Sequence, residues 1–158
     1  MKTKNNINLK GLALASLVIP IGIILWVVLW NMGFMASLVA FVIAYGAVWL
    51  YKTQTKGEIT KPAAVTLLVL IVLGVFLSFV SGMVADGWYA YSSEVSGASL
   101  MSTDFWQFVV GNLSDGNIWS AYSSDLIIAI VFALIGSGYE LYRLFAPEKQ
   151  PAADKTDN

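Results

Sequence analysis

Of the ten acidic side chains of this chain, five carboxylates gather in one stretch and are the main candidates for acid–base or metal chemistry there: Asp86, Glu94, Asp104, Asp115 and Asp125. They lie in, or at the edge of, the segment 85–124. That segment also carries Trp88, Tyr89, Tyr91, Phe105, Trp106, Phe108, Trp119 and Tyr122, and has no Lys or Arg. Cysteine and histidine are absent from the whole sequence. Disulfides, Cys-based zinc sites, thiol nucleophiles, Cys/His triads and imidazole proton relays are thereby excluded, and chemistry based on oxygen remains. A calcium loop needs several carboxylates at fixed spacing and a terminal Glu. The Ser114–Asn117 run (SDGN) supplies one carboxylate and no such Glu. Glycoside cleavage needs two acids facing each other in one cleft, and nothing in the spacing pairs these five. We therefore expect no catalytic, cofactor-binding or metal-binding residues and no cofactor. Convergence of two of the acids in one cleft would argue for an enzyme, and dispersal in solvent would argue against one. Asn112-Leu113-Ser114 fits the N-glycosylation triplet, a pattern frequent by chance.

The elements that hold these residues are apolar. Of 158 residues, 58% are hydrophobic and 12% charged, and mean hydropathy is +0.71. A soluble domain carries about 25% charged residues. The apolar residues run contiguously, as they do in a chain solvated by lipid. The expected fold class is an all-α integral membrane four-helix bundle, with a short interfacial helix in its extracytoplasmic loop. Residues 1–145 form the single transmembrane domain, with spans at about 11–30, 34–51, 62–84 and 126–145 and an outer loop at 85–124. Residues 146–158 read as a disordered cytoplasmic tail, being short, polar and proline-containing. An N-terminal signal peptide is the other reading of span one, given Lys2, Lys4 and Lys10. Twenty apolar residues without a small-residue cleavage site favour an uncleaved span.

Orientation follows from lysine and arginine. All nine basic residues fall in the amino-terminal tail (Lys2, Lys4, Lys10), between spans two and three (Lys52, Lys56, Lys61) or after Gly138 (Arg143, Lys149, Lys155). Four spans place all three groups on one side, so both termini are expected in the cytoplasm and the protein in the cell membrane as a multi-pass protein. Trp26 and Trp30, Trp49 and Tyr51, and Tyr139 and Tyr142 mark span ends, where amphipathic rings favour the headgroup zone. Net charge is −1, which gives no basic field for nucleic acid.

Within the spans, small residues recur at four-residue spacing: Gly11 and Ala15; Ala36, Ala40 and Ala44; Ser78 and Gly82; Ala129 and Ala133, with Gly136 beyond. Such stripes let helix backbones approach closely, and we expect them to pack within the bundle. Pro20, beside Gly22, is expected to kink span one. Apart from the phenol of Tyr45, no ionisable group lies at mid-membrane depth, which argues against ion-coupled transport. Glu140 and Arg143, three apart at the inner end of span four, read as a surface ion pair.

In the outer segment, Asp104 with Gln107 reads as the cap of a short helix that ends at Gly111-Asn112 and is suited to lie flat at the interface. Asp115-Gly116 marks a turn. From Ile118 the apolar spacing continues into span four, which is expected to project about two turns beyond the bilayer.

The order Gly11-x-x-x-Ala15, Trp26, Gly33-Phe34, an alanine-rich span ending in Tyr51, and the closing SSDLIIAIVFALIGSGYEL resembles a family of small, uncharacterised bacterial four-span integral membrane proteins. The resemblance covers about half the chain. It implies bacterial origin and four spans, and no site residue. The function expected is a non-enzymatic structural or accessory component acting through helix packing and its outer loop. Its partners would be the lipid bilayer and a membrane protein or a second copy of itself. The alternative is a small transporter or channel subunit, with Pro20 and Gly22 in a kinked first helix lining a path.

Overall fold

The computed structural model describes residues 7–33 and 35–145, and every regular element there is a helix. In chain order these are α1 (Leu9–Ala15), α2 (Val18–Asn31), α3 (Leu38–Gln54), α4 (Lys61–Glu94), α5 (Thr103–Leu113) and α6 (Gly116–Phe145). The expected kink in the first span is present, one turn before its proline. Pro20 has no N–H to give the Ser16 carbonyl, and its ring crowds that oxygen. The helix accordingly breaks at Ser16–Leu17, where the Leu17 and Ile19 amides bond three residues back, to Leu14 and Ser16. After α2 the chain turns at Gly33, whose φ of +72° suits glycine. The second helix was expected from Phe34, which lies outside the described residues. Ala36 and Ser37 form a turn, so the helix starts at Leu38, four residues later than expected, and runs one turn past Tyr51.

The outer segment is more helical than expected. Thr60 caps α4, its hydroxyl accepting from the Ala63 amide at 3.4 Å, with Pro62 in the first turn. The helix then passes Val84 without a break and ends at Glu94, ten residues later. Nothing in Ala85–Glu94 stops it, since the stretch holds no proline and one glycine. The cap of α5 is Ser102, whose hydroxyl accepts from the Phe105 amide at 3.2 Å. This corrects the expectation for Asp104, which occupies the first turn instead, where a negative charge faces the positive end of the helix dipole. Asp115 starts α6, its Oδ1 accepting from the Asn117 amide at 2.9 Å. The last helix thus begins about three turns ahead of Leu126 rather than two.

Three helical stretches are long and apolar enough to cross a membrane: Leu9–Asn31, Lys61–Glu94 and Gly116–Gly138. The 17-residue α3 is apolar but shorter. Large aliphatic side chains stand exposed along these helices, among them Ile24 (64%), Val72 (58%) and Ile135 (61%). Water would penalise such a surface and lipid does not, which marks the chain as a membrane protein. At 1.5 Å per residue α4 is about 50 Å long and α6 about 45 Å, against a hydrocarbon layer of about 30 Å. α4 therefore exceeds that layer by roughly four turns and α6 by roughly three, and α5 packs against both to form a cap at one end of the bundle, called the outer end.

The stripes of small residues lie at helix crossings within the bundle. α2 runs along α4, α3 along α6, and α1 against α3. A Cβ at Gly11 would come within 2.9 Å of the Tyr51 ring. One at Gly22 would meet Ile43 at 2.5 Å and the Ser78 hydroxyl at 3.1 Å. One at Gly82 would meet the Trp26 indole at 2.9 Å. Closest of all to a backbone is Gly136, 2.7 Å from the Phe41 carbonyl oxygen by the same measure. The tail at 146–158 and the side chains of Glu140 and Arg143 lie outside the described residues.

Candidate functional site at the outer cap

Three helices meet at one carboxylate. Asp86 lies on α4 about half a turn beyond the expected end of span three. Its Oδ1 accepts from the Trp30 indole N–H at 2.9 Å, and its Oδ2 accepts from the Tyr122 hydroxyl at 2.7 Å. Trp30 comes from the last turn of α2 and Tyr122 from the second turn of α6. The rings of Trp30 and Tyr122 also touch, their centroids 5.7 Å apart, and Trp26 stacks on Trp30 from below. A single side chain therefore ties together the outer ends of the first, third and last long helices. Charge-assisted hydrogen bonds of this kind are among the stronger ones.

Beside this joint lies a cleft of about 390 Å³ between the end of α4, α5 and the start of α6. Its polar lining comes from Asp86, Asn112 and Tyr122, and its walls are mainly apolar, including Met83, Val109, Leu113 and Ile118. The size falls in the range of small-molecule sites. α5 forms one wall because two of its residues are buried. Phe105 is fully enclosed, edge-on to Trp88 at 5.3 Å and to Tyr91 at 5.5 Å, and Val109 follows one turn later. The short helix is thus pinned to α4. Its flanks hold it as well: Trp106 donates to the Leu100 carbonyl and Trp119 to the Leu113 carbonyl, each at 2.8 Å.

Of the five acids, Asp86 alone lines the cleft. Glu94, Asp104 and Asp115 are exposed, and Asp125 is half-buried near Tyr122. Among the described residues no group of three metal-binding side chains comes together. The sequence named Asp86 as one acid among several and missed its role. A signal was present, because Trp30, Asp86 and Tyr122 flank the outer ends of three apolar segments and so share one depth.

Tyr122 is held neutral. Burial, then its hydrogen bond to Asp86, then the charges of Asp86 and Asp125 push its phenol up from 10.0 to about 12. A pKa raised on folding contributes stability that is complete below the unfolded value and is lost as pH climbs through the folded one. The cap is therefore expected to hold up to about pH 10 and to loosen between pH 10 and 12. Tyrosinate absorbance should show a late-titrating component that Tyr122→Phe reduces by one phenol. A late component of unchanged amplitude in Tyr122→Phe would sink the assignment.

Comparison with known proteins returns no match, whether to a protein-family model, a curated protein or a solved structure.

Proposed function

We propose that the chain is a four-span bacterial protein of the cell membrane, with both termini in the cytoplasm. In this reading it is a non-enzymatic accessory component that works through its outer cap. The observation that carries the role is the construction of the cap. Phe105, Val109 and the Asp86 joint fix it rigidly to the bundle, yet its outward face leaves Met101 93% exposed, with Leu100, Trp106 and Val110 also uncovered. A rigid, aromatic, partly apolar surface outside the bilayer suits contact with another membrane protein or with a second copy of the chain.

The fourth crossing is assigned to α3. Its 17 residues span about 25 Å, and Val42, Tyr45 and Trp49 on it are exposed like the lipid-facing residues of its neighbours. The basic residues support the same orientation, since none occurs between Lys61 and Arg143.

The natural absence of cysteine makes the topology directly testable. An impermeant maleimide should label Ser96→Cys in intact cells and Glu58→Cys only after permeabilisation. Labelling of Glu58→Cys in intact cells would overturn the four-span arrangement. For the accessory role, a photoreactive residue at position 101 should capture one partner reproducibly in native membranes. A monomeric particle with no adduct would sink it. The transport alternative draws on the break before Pro20, but the space beside Gly22 is filled by Ile43 and Ser78, which weighs against a path there.

A further inference from the structure

Among the described residues Asp86 has no ion-pair partner. Its two hydrogen bonds come from neutral donors, Trp30 and Tyr122, while a carboxylate offers about four acceptor positions. It is half-buried, and no Lys or Arg occurs anywhere from Pro62 to Tyr142. Charges withdrawn from water are ordinarily paired. Here the unpaired carboxylate opens onto the 390 Å³ cleft, whose other polar linings are the Asn112 amide and the Tyr122 hydroxyl. We propose that this cleft binds a small organic cation: an ammonium group bearing an apolar body, with its charge beside Asp86.

The chemistry of the walls selects that class. The aromatic ring of Phe108 lines the cleft, and aromatic rings attract cations, while Met83 and Leu113 accept an aliphatic or aromatic substituent. An anion would meet a carboxylate with no base to hold it, and a neutral apolar molecule would leave Asp86 uncompensated. The other acids of the outer segment, Glu94, Asp104, Asp115 and Asp125, raise the local concentration of cations. An ammonium group could arrive free in solution or on a lipid amine.

The site extends the reading of the cap as the working part of the protein, and the two can fail separately. Loss of crosslinking from position 101 with cation binding intact removes the accessory role alone. Crosslinking without cation binding removes the site alone.

The test is calorimetric titration of the full chain, in a neutral maltoside detergent, with benzyltrimethylammonium and with benzyl alcohol as the uncharged control. Saturable binding of the cation only is expected. Asp86→Asn should weaken it at least tenfold. Gly87→Leu should do the same by filling the cleft, because a Cβ there stands in ordinary contact with Phe108 at 3.8 Å and Val109 at 4.0 Å, both of which line the cleft. Absence of saturable binding, equal binding of the alcohol, or retained affinity in a folded Gly87→Leu protein would overturn the proposal. Repeating the titration in nanodiscs separates the two sources. Weaker binding in phosphatidylethanolamine than in an uncharged, amine-free galactolipid supports a lipid amine as occupant, and equal binding supports a free one.

Discussion

Leucine at position 136 is expected to cost about 3 kcal/mol of bundle stability, the upper part of the range for overpacking. Gly136 faces the α3 backbone: its Cβ would lie 2.7 Å from the Phe41 carbonyl oxygen, 3.1 Å from the Ala44 Cβ and 3.2 Å from the Tyr45 amide nitrogen. A side chain in the way could rotate, but a backbone carbonyl within a helix cannot. α3 and α6 would have to separate along their whole contact. Lipid is as apolar as the side chains, so no hydrophobic effect draws the helices back together, and close packing is what the substitution removes. Gly138, two residues on, has nothing within 4 Å and supplies the control. Gly138→Leu should leave stability unchanged or raise it by about 0.5–1 kcal/mol through helix propensity. Unfolding in mixed micelles, followed by circular dichroism, separates the two variants. Equal stability in both would refute the close approach of α3 and α6.

Asp86→Ala should release the outer cap while leaving the inner bundle folded. The substitution strands two donors, the Trp30 indole N–H and the Tyr122 hydroxyl, that now bond the carboxylate at 2.9 and 2.7 Å. A stranded buried donor costs about 1–3 kcal/mol. Both groups are only half-buried, so water recovers part of this, and a total of about 2 kcal/mol is expected. Hydrogen exchange should accelerate across Thr103–Leu113 and the first two turns of α6, and Trp emission should shift to the red. The α3–α6 contact around Gly136 should stay protected. Pairing Asp86→Ala with Tyr122→Phe should give less than additive losses, since both variants break the same bond. Unchanged exchange in α5 would show that Phe105 and Val109 hold the cap without the joint.

Much of the fold is legible in the sequence where one residue acts on its own neighbourhood. Pro20 interrupts the first helix because it lacks a donor and crowds Ser16, whatever surrounds it. Thr60 and Pro62 start α4 by local geometry. The small-residue stripes announce close packing, and Gly11, Gly22, Gly82 and Gly136 each sit at a crossing. The cap was misread where two local signals competed. Ser102 and Asp104 are both competent N-caps, and the extended backbone at Ser102 settles the choice. The end of α4 was expected at about Val84, where the apolar run gives way to polar residues, yet the helix continues to Glu94. Packing of Trp88 and Tyr91 on Phe105 holds that extension against α5.

The sequence by itself determined that the chain is helical and apolar enough for lipid, that its basic residues avoid the segment between Lys61 and Arg143, and that no thiol or imidazole takes part in its chemistry. These are properties of composition and of local spacing, and they do not depend on which helix lies beside which. Only the tertiary structure decided that Trp30, Asp86 and Tyr122 share one set of hydrogen bonds, and that Asp86, unlike the other four acids, lines a cleft. Those residues lie 36 and 56 positions apart. Their meeting depends on the lengths by which α4 and α6 overrun the bilayer and on the crossing that close glycine contacts permit. Neither quantity can be read from a span of sequence in isolation.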